Sequence, residues 1–161
     1  MLVTVNFETL KLWAERYLGT ATPEDYVDWA VTCLESDLDS KNIRILASLR
    51  NTSSSSEVED YFYRSLKDLG WTMPDKRECL FAYARGLAQQ IVSGDLQPVN
   101  GCEQIYRIVY ELQYPHEMIA WLYLDEGLSP DDLGDLHGAA WDDAIKSEAA
   151  RFLEDRTALQ D

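Results

Sequence analysis

Apolar residues recur along this chain at spacings of three and four, the period of an amphipathic helix. Asn6 or Thr9 is placed to open a first helix, with Phe7, Leu10, Trp13, Tyr17 and Leu18 facing inward and Gly19 as the stop. In "TPED", Thr22 is an N-cap, Pro23 takes the first helical position, and Glu24 and Asp25 complement the positive helix end. Tyr26, Trp29, Ala30, Cys33 and Leu34 give that helix its stripe, and Asp39 or Ser40 starts a third through Ile43, Leu46 and Leu49. Residues 51–56 form a polar loop whose last serine begins "SEVE", a capping box of Ser56 and Glu59. Val58, Tyr61, Phe62, Leu66 and Leu69 follow, and Gly70 ends the stripe.

A second capping box, Asp75 to Glu78, precedes the clearest stripe: Leu80, Tyr83, Ala84, Leu87, Ala88 and Ile91, ended by Gly94. Asn100 is expected to cap the next helix, with Glu103 answering and Ile105, Val109 and Leu112 along one side. After Pro115 the chain is apolar nearly all round from Met118 to Leu124, which suits a central helix. "SPDD" repeats the logic of "TPED", with Ser129 as cap and Pro130 first, though Gly134 and Gly138 keep that helix short or broken. A last helix is expected from about Ala139 to Leu159, with Trp141, Ile145, Ala149, Phe152 and Leu153 inward. The one strand candidate is the brief "MLVTV" at the start. The predicted fold is all-α: a single domain over residues 1–161, a bundle of eight or nine short helices.

Length and composition agree with that picture. The 161 residues are 46 % hydrophobic, enough for a core without disulfides or metal. No apolar run approaches the roughly 20 residues of a membrane span. The first residues lack the basic start and apolar core of a secretory signal, so a soluble cytoplasmic protein is expected. Cys33, Cys79 and Cys102 are odd in number and show no CxxC spacing, which suits small buried thiols.

Charge adds the one strong bias. The net charge is −15, and residues 117–161 carry 12 acidic against 3 basic side chains, a net of −9. Such a field repels nucleic acid and anionic membranes, and it suits a basic protein partner. The richest stretch is "LSPDDLGDLHGAAWDD", residues 128–143. Asp131 and Asp132 are expected in the first turn of one helix, Asp142 and Asp143 in the first turn of the next, where acids stabilise the helix end. Asp125, Glu126 and Asp135 exceed that need, and no Lys or Arg occurs from residue 108 to residue 145. Trp141 beside them is either a core residue or an aromatic anchor for a partner.

Tests for chemistry return little. An EF-hand starting at Asp125 has Gly127 at its third position and Leu136 at its twelfth, and one starting at Asp131 has Leu133 at its third. "HE" at His116 and Glu117 is not a zinc-protease motif, because Ala120 stands where the second histidine belongs. An ExxH di-iron pair fails at Gln113 and at Gly134. There is no nucleophile elbow and no phosphate-binding glycine loop. No cofactor is expected.

The cadence of "DSKNIRILASLR", "EVEDYFYRSLKDLGW", "GCEQIYRIVYELQYP" and "WLYLDEG" resembles small acidic all-helical bacterial proteins, some of them similar to immunity proteins that neutralise toxins. The resemblance spans roughly residues 22–150 and implies a non-enzyme that binds a basic toxin domain through an acidic face; it carries over no functional residues. The candidate partner-binding residues are therefore Asp125, Glu126, Asp131, Asp132, Asp135, Trp141, Asp142 and Asp143. Two other classes stand beside this one. One is an enzyme or small-ligand binder with an inter-helix pocket, for instance near His116, His137 and Cys102. The other is a self-associating adaptor.

Overall fold

A computed structural model describes residues 5–50 and 54–155. Among them are eight α-helices, and no strand beyond a single isolated bridge. The chain is all-α, as the hydrophobic period predicts. Residues 1–4 of the candidate strand, 51–53 of the polar loop and 156–159 of the predicted final helix lie outside the described residues.

The helices fall into two compact units, Met1–Cys79 and Leu80–Asp161. In the first, α1 (Phe7–Leu18), α2 (Pro23–Glu35), α3 (Lys41–Ser48) and α4 (Ser55–Asp68) pack with α2 against each of the other three. Phe62 of α4 is gripped edge-on by Tyr26 and Trp29 of α2, both at 5.0 Å between ring centroids. Such aromatic pairs add about 0.5–1.5 kcal/mol beyond the area they bury. Asn6 caps α1 and Ser40 caps α3, each side chain accepting an N–H three residues on. Thr22 is the N-cap of α2 with Pro23 first, in a capping box with Asp25, whose carboxylate lies 2.7 Å from the Thr22 N–H nitrogen and 2.9 Å from its hydroxyl.

Two expectations shift here. The buried face of α1 centres on Thr9, Leu12, Trp13 and Ala14, leaving Phe7, Leu10, Tyr17 and Leu18 only half-buried. Thr9 can face the core because its hydroxyl accepts the Trp29 indole N–H at 2.9 Å and donates to Asn6 Oδ1 at 2.7 Å. The cap of α4 is Ser54 instead of Ser56, accepting the Glu57 N–H at 3.3 Å. Any serine in that run offers the same oxygen, so composition could not choose among them.

The second unit holds most of α5 (Lys76–Ser93), then α6 (Pro98–Glu111), a 3₁₀ turn (His116–Met118), α7 (Ile119–Asp125) and α8 (Gly138–Glu154). Asp75 caps α5 by accepting the Glu78 N–H at 2.8 Å, and all six residues of its predicted stripe are buried. α6 starts earlier than expected, with Gln97 as N-cap and Pro98 first; Asn100 is already inside the helix. Proline's missing N–H and fixed φ suit the first helical position, and that preference outranks the Asn100 cap. Met118, Trp121 and Leu124 are wholly buried, and Trp121 meets Phe152 of α8 edge-on at 6.1 Å. Arg85 of α5 donates to the carbonyls of Phe152 and Leu153 at 2.9 and 2.8 Å, closing the C-terminus of α8.

Candidate functional site

The helix expected at "SPDD" does not form. Residues 126–137 are a tight loop between α7 and α8, pinched by an antiparallel bridge between Leu128 and Asp135. Ser129 N–H donates to the Gly134 carbonyl at 2.8 Å, and Leu136 N–H to the Gly127 carbonyl at 2.7 Å. Only three residues separate Pro130 from Gly134, too few to offset the cost of nucleating a helix. The Asp132 carboxylate also accepts the Gly134 N–H at 3.0 Å, which favours a turn over a helix. Leu133 completes the loop tip at φ 58°, a left-handed conformation uncommon for leucine, and its side chain is 55 % exposed.

This changes the reading of the aspartates. Asp131 and Asp132 are loop residues and cap no helix. α8 begins at Gly138 with His137 as its N-cap, so Asp142 and Asp143 lie beyond the first turn, where the helix-end field has faded. Helix capping therefore explains none of the four. Asp132 does have a local role: the Gly134 N–H, then the Ser129 hydroxyl, hold its carboxyl below the usual range. Among the described residues no Lys or Arg pairs with Asp125, Glu126, Asp131, Asp132, Asp135, Asp142 or Asp143.

Asp125 and Glu126 close α7 and come together with Glu103 of α6. Burial raises the Asp125 pKa, and the charges of Glu103 and Glu126 raise it further. Glu103 itself pairs with Arg107 at 3.0 Å. Beside Asp125 and Glu126 stands Tyr106, with Tyr114 as its neighbour. Tyr114 meets Tyr110 edge-on at 6.0 Å, and these two rings are 42 % and 62 % exposed. Gln113 and Tyr114 are held there by two successive left-handed residues, at φ 60° and 58°. The tyrosines recur every four residues, Tyr106 and Tyr110 on α6 and Tyr114 just past its end. That spacing is visible in the sequence but is hidden among many aromatics at core spacing.

Asp131 faces a different neighbourhood. It lies on a groove of ≈ 500 Å³ whose apolar wall is Ile119, Ala120 and Tyr123 of α7. The α8 side supplies Ala144, Glu148 and Arg151. Glu148 is 7 % exposed and accepts two bonds from Arg151, from Nε at 2.8 Å and Nη2 at 2.7 Å. Sequence reasoning passed over Glu148 because nothing in its spacing marks a buried carboxylate.

Trp141 is half-buried, and its indole N–H donates to the Leu124 carbonyl at 2.6 Å, tying the start of α8 to the end of α7. His116 and His137 are exposed while Cys102 is buried, and none of the three lines the groove. Burial pushes all three thiols up, Cys33 to about 11 and Cys79 to about 12, away from the thiolate a nucleophile needs. Among the described residues no cluster of three His, Cys, Asp or Glu side chains is placed to hold a metal ion, and no helix is long and apolar enough to cross a membrane. Compared with known proteins, the chain matches no protein-family model, no curated protein and no solved structure.

Proposed function

We propose that this chain is a non-catalytic protein-binding module that engages a basic protein partner, in the manner of an immunity or antidote protein. The observation that carries this reading is that Asp125 and Glu126, without cation partners among the described residues, stand beside Tyr106, whose neighbour Tyr114 packs on Tyr110, both of these rings exposed. Binding sites are enriched in tyrosine, which offers a large rigid surface at small entropic cost. Carboxylates of one sign steer a cationic surface toward it and set the orientation of docking. Asp131, Asp132, Asp135, Asp142 and Asp143 extend the field, while Trp141 positions α8 relative to α7.

The test is affinity capture with the whole chain at about 50 mM and about 500 mM salt, which takes the screening length from above to below about 10 Å. It is run beside a variant carrying Asp125→Lys, Glu126→Lys and Asp135→Lys. A basic protein retained at low salt, released at high salt and lost by the variant supports the reading. Retention that ignores both salt and charge reversal overturns it.

A further inference from the structure

The groove beside Asp131 holds a buried carboxylate, Glu148. Moving a carboxylate out of water costs several kcal/mol unless good partners replace the water. Glu148 has one such partner, Arg151, whose side chain is itself 65 % exposed. Each Glu148 oxygen accepts one bond from it, and a carboxylate oxygen has room for a second. Across the groove stands Asp131, close enough for its charge to act on Glu148. With Arg151 the three charged groups leave one negative charge uncompensated, above a wall of Ile119, Ala120 and Tyr123.

We infer that this groove is an anchor pocket of the acidic face and that it takes a lysine side chain from a basic protein partner. The inference rests on the binding-module reading above. The methylene stem lies along Ile119, Ala120 and Ala144, and the ammonium reaches the spare lone pairs of Asp131 and Glu148. At Glu148 the chemistry favours lysine over arginine. A second guanidinium would compete with Arg151 for the same two-oxygen fork, whereas an ammonium is a compact charge with three freely turned donors. An anionic ligand is disfavoured, because Arg151 already gives two donors to Glu148 and the surrounding field is negative. At ≈ 500 Å³ the space falls in the range of sites that enclose a small organic group.

The probe is Nα-acetyl-lysine N′-methylamide, titrated at millimolar levels into the ¹⁵N-labelled chain, beside the norleucine and arginine counterparts. The lysine probe is expected to shift the amides of Ala120, Ser129, Asp131 and Glu148, and the norleucine probe to leave them nearly unmoved. Ala144→Leu fills the groove without touching a charge and is expected to weaken binding about tenfold, the worth of roughly two buried methylenes. Asp131→Asn, a change on an exposed loop, is expected to weaken it several-fold, and Glu24→Gln, an exposed acid in the first turn of α2, to leave it unchanged. Equal shifts from the norleucine probe, tighter binding of the arginine probe, or shifts spread over the acidic surface and indifferent to Ala144→Leu and Asp131→Asn would each overturn the inference. Capture of a basic protein that survives both Ala144→Leu and Asp131→Asn but is lost on reversal of Asp125, Glu126 and Asp135 rejects the groove and keeps the acidic face.

Discussion

Gly101 lies inside α6, where an alanine would ordinarily be welcome. In an open helix the exchange gains about 1 kcal/mol, because glycine loses more backbone freedom on folding. Here a Cβ on residue 101 would stand 2.5 Å from Cδ1 of Ile91, 2.6 Å from its Cγ1 and 3.0 Å from Cδ2 of Leu96. Ile91 is 1 % exposed, so it has little space into which to retreat. Overpacking of this kind costs about 1–3 kcal/mol. Set against the helix gain, Gly101→Ala should destabilise by up to about 2 kcal/mol. Urea unfolding followed by tryptophan fluorescence measures this directly, with an unchanged m-value showing that both end states are intact. The decisive arm is Ile91→Ala, which removes both offending carbons and by itself should cost about 2–5 kcal/mol. In the double variant the new methyl occupies part of the vacated space, so the loss should fall short of the sum by about 1 kcal/mol or more. A stabilising Gly101→Ala, or strict additivity of the pair, would show that α5 and α6 do not approach this closely.

Two further outcomes test other parts of the fold. Thr9→Val leaves the buried Trp29 N–H without its acceptor and should cost about 1–3 kcal/mol, while Thr9→Ser keeps most of it; equal losses in the two variants, read by urea midpoint, would reject the Asn6–Thr9–Trp29 relay. Burial raises the folded pKa of Glu148 above its ordinary 4.5, and burial likewise raises Asp125, so the native chain binds more protons than the unfolded one above that pH. Their contribution to stability is greatest below the unfolded pKa and is lost as pH rises through the folded one. The urea midpoint should therefore climb as pH falls from about 7 toward 4.5, with a smaller climb in Glu148→Gln; a midpoint that is flat over this range, or equally steep in the variant, would contradict the placement of Glu148.

Capping and period, both local, were legible wherever one residue type dominates its position. Gly19 and Gly94 stop their helices at φ 72° and 85°, conformations that glycine adopts without strain. Asp75 caps α5, and Leu80 through Ile91 are buried at their predicted spacing. The local rules failed where two of them competed. Pro98 overrode Asn100, Ser54 overrode Ser56, and in "SPDD" the turn-forming carboxylate of Asp132 defeated the cap at Ser129.

The amino-acid sequence by itself determined that this protein is helical, where most of its helices start and stop, and that its C-terminal part is acidic. These are consequences of side-chain spacing, backbone preference and charge, which act within a few residues. Tertiary structure alone decided which acids have partners, which aromatics face outward and where a carboxylate is buried. Glu148 is buried only because the fold sets α8 against α7 and the 126–137 loop. Tyr110 becomes a surface residue only because Ile105, Ile108 and Val109 take the inner side of α6. Arg85 finds the end of α8 some 67 residues along the chain. Such pairings depend on distances between elements that no local spacing encodes.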